Sequence, residues 1–187
     1  MKWLPRLISS RIVLATIAAI LSSCQNSIYI TPAPPNLNAT LNSFAAESAP
    51  NFNYSGRYIV YTSDRARKRS IYLYDMVRRR SLPLPGLNQP GSMQSQADLS
   101  ADGRYIVYRS EQLGKSDIYL YDRLEAKAEN LTKNFIGEVR YPTISGNGRF
   151  VAFEGNRKGQ WDIEAIDRGV GIDRSPPQNS LEPSPAP

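Results

Sequence analysis

The sequence contains three copies of one pattern, and this repeat limits the fold more than any other feature. In each copy a glycine and an arginine precede an apolar run, and an aspartate closes a second apolar run 18 residues after the arginine. The copies lie 47 and then 45 residues apart. Periods of this length are typical of propellers and solenoids, in which each repeat forms one supersecondary unit. The recurring residues are Gly56, Arg57 and Asp75, then Gly103, Arg104 and Asp122, then Gly148, Arg149 and Asp167.

Each copy has the pattern of a four-stranded antiparallel sheet. A two-residue hairpin turn, which favours Gly, Asn or Asp because φ is positive, is predicted at Ser55-Gly56, Asp102-Gly103 and Asn147-Gly148. The run at residues 105–108 is apolar or aromatic at every position, which predicts a strand covered on both faces. Weaker outer strands are predicted at 81–85 and 128–132, and inner strands of the next unit at 94–99 and 139–144. Such repeated sheets predict an all-β fold made of three β-propeller blades.

Two strings carry a family resemblance. LSADGRYIVYRSEQLGKSDIYLYD (99–122) and ISGNGRFVAFEGNRKGQWDIEAID (144–167) resemble the WD-like β-propeller repeat of TolB-family proteins. That motif runs S-x-D-G-R-x-I-A-F-x-S and, after a short loop, D-I-Y-x-x-D, and the resemblance extends from residue 50 to about 172. It implies a periplasmic propeller that acts as a protein-interaction platform, with a role in Tol-type biopolymer transport or envelope integrity. TolB-like propellers have six blades, whereas three repeats are present in this chain.

Three blades raise the question of how the propeller closes. An open stack leaves two apolar blade faces in contact with water, and closed propellers have four to eight blades. Three alternatives remain open: a homodimer that forms a three-plus-three ring, an open monomer with capped ends, and assembly with another propeller protein. In the third copy, Glu164 and Ala165 replace the tyrosine and leucine of the other two, which favours a capped end.

The first 23 residues are predicted to be a lipoprotein signal peptide. Lys2, Arg6 and Arg11 form a basic segment ahead of an apolar run from Ile12 to Leu21, which is too short to span a bilayer. Leu21-Ser22-Ser23-Cys24 resembles the bacterial lipobox, which implies acylation of Cys24 and a membrane anchor. The alternative is an ordinary cleavage site beside an incidental thiol. The expected location is exported, lipid-anchored and periplasm-facing, with the outer membrane favoured because Gln25 is not the aspartate that retains lipoproteins in the inner membrane.

The rest of the chain divides by composition. Residues 24–49 combine the modified cysteine with a segment rich in Asn, Ala, Pro and Ser, which predicts a flexible tether. Residues 50–173 contain the three-blade propeller. Residues 174–187 hold five prolines, so this segment is predicted to be a disordered tail.

Composition excludes several classes of function. The chain has no histidine, which argues against Ser-His-Asp catalysis and His-ligated zinc, and we expect no enzymatic activity, cofactor or metal. Without the signal peptide the chain has 20 basic and 17 acidic residues, so its net charge is only +3. Export and this low charge disfavour binding to nucleic acid.

Basic and aromatic residues are candidates for interaction. Seven cations make the first copy basic, and they predict either contact with an anionic partner or a solvated edge: Arg65, Arg67, Lys68, Arg69, Arg78, Arg79 and Arg80. Trp161 stands where the other copies have Arg69 and Ser116, and it is either an exposed contact or part of a packed edge. The recurrent aspartates are expected to cap turns and to pair with the recurrent arginines.

Two functional classes follow from these patterns. The first is a non-catalytic envelope lipoprotein that presents the propeller for protein binding. The second is a peptidoglycan- or glycan-binding module that works with a separate enzyme. The expected partners are envelope proteins, among them a second copy of the chain, and the membrane through the lipid anchor.

Overall fold

The computed structural model describes residues 40–112 and 114–172. These residues belong to the second of two units of the chain, Pro32–Pro187. The predicted signal peptide, Cys24 and the proline-rich tail lie outside the described residues. The described part is all β, and it contains no helix that is long and apolar enough to cross a membrane.

Eleven strands form three antiparallel sheets, which we call blades 1, 2 and 3. Each blade is a meander in which consecutive strands pair. Blade 1 consists of β1 (Glu47–Phe52), β2 (Tyr58–Ser63), β3 (Ser70–Asp75) and β4 (Arg80–Leu82). Blade 2 consists of β5 (Gln94–Leu99), β6 (Tyr105–Ser110), β7 (Asp117–Asp122) and β8 (Lys127–Asn130). Blade 3 consists of β9 (Val139–Ile144), β10 (Phe150–Gly155) and β11 (Asp162–Asp167), so its sheet has three strands within the described residues.

The middle strands of blade 2 are buried on both faces, as predicted from their unbroken apolar runs. Successive side chains of a strand point to opposite faces, so β6 contributes to two cores. Ile106 and Tyr108 pack in a cluster with Val60 of blade 1. Tyr105 and Val107 pack in a second cluster with blade 3. Blade 2 is therefore packed between blades 1 and 3.

The turns that precede the middle strands differ from the predicted two-residue hairpins. Five residues, 100–104, connect β5 to β6, and the N–H of Gly103 donates to the carbonyl of Ser100 at 2.9 Å. Only the glycine of each predicted pair has a positive φ, which is +73° at Gly103. Asp102 serves another purpose, because its carboxylate accepts the N–H of Arg104 at 2.9 Å. The prediction of paired left-handed residues was wrong, since the aspartate closes a side-chain turn instead.

The innermost strand of each blade contains a bulge at the same repeat position. Ala49, Gln96 and Tyr141 have φ values of +50°, +55° and +49°, although none is glycine. The strand register shifts at each of these residues. A bulge bends the strand and increases its twist. The bulges therefore shape the innermost edges of the three blades in the same way.

The first blade begins earlier than the sequence indicated. β1 starts at Glu47, within the range assigned to the tether. The backbone carbonyls of Thr40 and Leu41 accept hydrogen bonds from Arg65 at 3.0 and 2.7 Å. The last ten residues of the predicted tether are thus attached to blade 1, and only residues 24–39 of that range lie outside the described part.

Candidate functional site

The recurrent arginines and aspartates form the same ion pair in every blade. The shortest distances are 3.4 Å for Arg57–Asp75, 2.8 Å for Arg104–Asp122 and 2.5 Å for Arg149–Asp167. The aspartates also cap the turn after their strand, as the carboxylate of Asp122 does by accepting the N–H of Leu124 at 2.9 Å. The predicted pairing and capping are both present, and these residues hold the hairpins of the blades together.

Burial and hydrogen bonding oppose each other at these carboxyl groups. Burial alone would raise the pKa of Asp122, but the hydrogen bonds from Arg104 and from the N–H of Leu124 lower it below its usual value. Asp75 follows the same pattern, since hydrogen bonds from the backbone of Arg78 and the charge of Arg57 outweigh burial and lower its pKa. Both groups are charged at neutral pH and have structural partners, so neither has the features of an acid or base catalyst.

A second repeated contact joins neighbouring blades. The ring of Tyr58 in blade 1 lies against Gly103 in blade 2, where an added Cβ would come within 2.7 Å of the ring. Arg123 of blade 2 covers the same ring at 5.0 Å and donates to the carbonyl of Gly103 at 2.6 Å. Tyr105 repeats the arrangement on Gly148 of blade 3. We call this the aromatic–glycine contact, and it determines how closely one blade approaches the next.

Arg65 is part of the interior of blade 1. Its side chain is 5% exposed and bonds Glu47 at 2.9 Å. Its guanidinium lies over the rings of Tyr61 and Tyr72 at 5.4 and 4.7 Å, which is the range of cation–π attraction. The candidate role of Arg65 as an exposed interaction residue is therefore wrong, because burial and these partners leave it inaccessible.

The remaining six cations of blade 1 lie in two separate groups. Arg67, Lys68 and Arg69 are in the loop between β2 and β3, where Lys68 bonds the carbonyl of Gln89 at 2.5 Å. Arg69 pairs loosely with Asp64 at 3.7 Å. The other three are exposed around the turn between β3 and β4, at residues 78–80. The six residues of β3 separate the groups by about 20 Å, so the cations form two small patches.

The outward face of blade 3 is an exposed apolar surface. Ile163 is 75% exposed and Phe150 is 47% exposed, and Ala152 and Ala165 lie beside each other on the paired strands between them. These positions correspond to Ile118, Tyr105, Val107 and Leu120 of blade 2, which are buried beneath blade 3. Sequence reasoning expected an apolar face at each end of an open stack but did not assign these residues to it. The repeat alignment contained the signal, since the equivalent residues of blade 2 are inter-blade contacts.

Trp161 lies at the edge of the same face. The residue is 38% exposed, and the guanidinium of Arg140 covers its ring at 3.8 Å. Arg140 also bonds Glu154 at 2.7 Å and lies 5.3 Å from the ring of Tyr141. Both predicted roles for Trp161 are thus partly present, because one side of the ring is packed and part of it faces solvent.

A groove runs beside β11. It has a volume of about 650 Å³, and Glu164, Ile166 and Arg168 line it on the blade 3 side, with Thr132 and Phe135 opposite. β11 pairs only with β10 in the described part of the chain, so its other edge is unpaired there. An unpaired strand edge offers N–H and C=O groups to an added strand. No cluster of three metal-ligating side chains occurs among residues 40–112 and 114–172.

Comparisons with known proteins identify the fold. No protein-family model matches the sequence, and no curated protein matches it. Among solved structures, TolB from Acinetobacter baumannii is similar, with 20% identity and a TM-score of 0.58 over 71% of this chain and 32% of the other. A TolB-like protein from Agrobacterium tumefaciens gives 19% identity and a TM-score of 0.55 over 72% of this chain and 50% of the other.

The similar chains differ in function. A Mycobacterium tuberculosis puromycin-hydrolyzing peptidase gives 13% identity and a TM-score of 0.52 over 70% of this chain and 20% of the other. This chain therefore spans only a third to a half of the TolB chains, and similarity at these identities establishes architecture rather than activity. The described residues form three blades with the fold of a TolB-like β-propeller.

Proposed function

We propose that this chain is a non-catalytic, exported lipoprotein that presents a TolB-like propeller segment for protein binding in the cell envelope. The observation that carries the proposal is the outward face of blade 3, where Ile163 and Phe150 are exposed beside an unpaired strand edge. A role in Tol-type transport or envelope integrity follows from the resemblance of the repeats to those of TolB-family proteins. The supporting features for export are the basic and apolar N-terminal segment and the lipobox that ends at Cys24.

The blade 3 end has two features that suit a protein partner. Its apolar side chains occupy positions that another blade covers in blade 2, so burial of Ile163 alone would contribute about 1.5–2 kcal/mol. The groove beside β11 has room for an extended segment, which would pair its backbone with the free edge of the strand. An apolar face next to an unpaired strand edge is a typical site for adding a further blade or strand.

Site-specific photo-crosslinking in cells tests this surface. A photoreactive residue at Ile163 is expected to capture an envelope protein, whereas the same residue at Val77, which is 74% exposed on a blade 1 turn, is the matched control. Capture at Ile163 should disappear when Ala165→Arg places a charge in the middle of the face. Equal capture at both positions, or capture that Ala165→Arg leaves unchanged, would exclude this face as the binding surface.

Lipid attachment is tested separately. Mass spectrometry of the purified full chain should show acylation at residue 24, and Cys24→Ser should abolish it and release the protein from membranes. An unmodified cysteine in the membrane fraction would contradict the lipoprotein assignment. Fractionation of inner and outer membranes would then test the proposed outer-membrane location.

A second candidate function is binding to peptidoglycan or another glycan. The observation that favours it is the exposed part of Trp161 and Tyr141 around Arg140, since aromatic rings offer flat apolar surfaces and the guanidinium binds carboxylates. Co-sedimentation with purified peptidoglycan should fall in Trp161→Ala and stay unchanged in Tyr54→Ala, whose side chain is exposed on the blade 1 turn. Sedimentation that is equal in both variants would remove this candidate.

A further inference from the structure

The turns at one end of the three blades form a continuous rim. In each blade the turn before the second strand lies beside the turn after the third strand, as the pairing of Tyr58 with Asp75 shows. Neighbouring blades are joined there, because the side chain of Asn53 donates to the carbonyl of Ala101 at 2.9 Å. The N–H of Ala101 in turn donates to the carbonyl of Gly146 at 2.9 Å. We call this end of the stack the turn rim, and it consists of residues 53–57 and 76–79 of blade 1, 100–104 and 123–126 of blade 2, and 145–149 and 168–171 of blade 3.

Each blade exposes one large apolar side chain on the outer part of the turn rim. Val77, Leu124 and Val170 are 74%, 75% and 76% exposed. The first two lie in turns of the same construction, since the carboxylate of Asp75 accepts the N–H of Val77 at 3.0 Å. Asp122 accepts the N–H of Leu124 at 2.9 Å in the same way. These residues therefore form a row of apolar tips on fixed turns rather than scattered contacts with water.

The turn rim is also basic. Nine cations and five acids lie in its turns or at the strand ends that adjoin them, so its net charge is +4. Three of the acids are the aspartates that pair with the recurrent arginines. Arg78, Arg79 and Arg80 are exposed next to Val77, and none of the three makes an ion pair within residues 40–112 and 114–172. Their charges are therefore available to an anion outside the protein.

We propose that the turn rim docks on an anionic phospholipid membrane, with Val77 and Leu124 at headgroup depth and the arginines on the lipid phosphates. Apolar tips beside basic residues have the composition of surfaces that lie in a membrane interface. A guanidinium binds phosphate through two parallel hydrogen bonds, and each basic residue near an anionic leaflet raises the affinity roughly fivefold. A fluid lipid surface suits tips that stand on separate turns, because lipids adapt to the spacing of the tips, whereas a protein partner needs a matching shape. This inference goes beyond the proposed function, since it concerns a surface other than the blade 3 face.

The proposed acylation of Cys24 is compatible with this orientation. The described chain begins at the opposite end of blade 1, where Arg65 donates to the carbonyl of Thr40 at 3.0 Å. A six-residue strand is about 20 Å long, whereas the residues from 24 to 39 can span up to about 55 Å. The chain between Cys24 and Thr40 is therefore long enough for the turn rim to lie on the membrane that holds the anchor.

Photo-crosslinking to lipid tests the proposal with the full chain reconstituted in vesicles. A photoreactive residue at Leu124 is compared with one at Ile136, which is 80% exposed in the loop between β8 and β9 at the other end of the stack. Ile136 lies between Lys133 and Glu138, so its surroundings carry no net charge. In vesicles of equal parts phosphatidylglycerol and phosphatidylcholine, phospholipid adducts at Leu124 should exceed those at Ile136 by about fivefold or more. In pure phosphatidylcholine, or in the anionic vesicles at high salt, this excess should disappear.

Two variants that lose the same charge identify the surface responsible. The test variant replaces three arginines of the blade 1 turn: Arg78→Gln, Arg79→Gln and Arg80→Gln. The control variant replaces three exposed cations at the other end of the stack: Arg67→Gln, Lys133→Gln and Lys158→Gln. The test variant should reduce the adducts at Leu124 on blade 2 by about tenfold or more, and the control variant should leave them unchanged. Urea unfolding of both variants checks that the blades remain folded.

Several outcomes would overturn the proposal. These are equal lipid adducts at Leu124 and Ile136 in the anionic vesicles, adducts at Leu124 that high salt leaves unchanged, and equal losses in the test and control variants. The salt measurement uses the wild-type charges, so it decides the question even where the test variant fails to fold. In cells, protein adducts instead of lipid adducts at Leu124 would overturn the proposal in favour of an acidic protein partner. Each of these results leaves capture at Ile163, and with it the proposed function, to be decided separately.

Discussion

The aromatic–glycine contact predicts that an alanine at Gly103 destabilises the protein far more than an alanine at a comparable glycine. Gly103 has φ +73°, and an added Cβ would lie 2.7 Å from the ring of Tyr58. Gly91 has the same φ of +73°, but an added Cβ meets no atom of the described residues within 4 Å. The two substitutions share the cost of a left-handed alanine and differ only in the contact with the neighbouring blade.

The magnitude follows from adding these two costs. A non-glycine residue in the left-handed region costs about 1–2 kcal/mol, and this applies to both variants. Overpacking against the Tyr58 ring adds about 1–3 kcal/mol at Gly103, since the ring lies between the glycine and Arg123. We therefore expect Gly91→Ala to lower the free energy of unfolding by about 1–2 kcal/mol and Gly103→Ala by about 2–5 kcal/mol.

Urea unfolding followed by tryptophan fluorescence measures the difference. A second comparison, in which both alanines are placed in a Tyr58→Ala background, should make the two costs equal because the conflicting ring is absent. The reasoning is refuted if Gly103→Ala and Gly91→Ala cost the same in the wild-type background. It is also refuted if their difference persists after the ring of Tyr58 is removed.

Three further results are expected. Arg104→Gln should lower the free energy of unfolding by about 1–3 kcal/mol because Asp122 loses a charged donor at a largely buried site. Arg149→Gln removes the equivalent pair at an exposed site and should shift the urea midpoint little. Because the pKa of Asp122 is lowered in the folded state, its contribution to the free energy of unfolding should be fully present above the unfolded pKa of about 4. That contribution should be lost as the pH falls through the lower pKa of the folded state, and acid unfolding measures the loss. Burial raises the pKa of Tyr61 to about 12 and also raises the pKa values of Tyr72, Tyr108 and Tyr121, so stability should fall as pH rises above about 10, and ultraviolet titration should show several tyrosines ionising late.

Much of the fold could be predicted from local patterns. The two middle strands of each blade come from apolar runs, and the predicted inner strands at Gln94–Leu99 and Val139–Ile144 coincide with β5 and β9. The pairing of Arg104 with Asp122 was predictable because an 18-residue spacing across a hairpin places both at the same end of adjacent strands. These features depend on residues close in sequence, so a repeat of short motifs is sufficient to indicate them.

The location of individual side chains was harder to predict. Arg65 belongs to the same basic stretch of sequence as the exposed arginines that follow it, yet it is buried against Glu47 and two tyrosines. Glu47 lies 18 residues earlier, in a range without hydrophobic periodicity, so nothing local indicated their contact. The turn at Asp102 was misjudged for a related reason, because its side chain stabilises a longer loop that a two-residue template does not describe.

The sequence by itself determined the architecture, because hydrophobic runs, turn glycines and paired charges recur at a constant spacing that suits one antiparallel sheet. Only the tertiary structure decided which faces of those sheets are covered. Phe150 and Tyr105 are equivalent in the repeat, but one is exposed and the other lies on a glycine of the next blade. Whether a blade face is buried depends on which blade packs against it. That is decided by how the blades stack, and the sequence of a single repeat does not contain it.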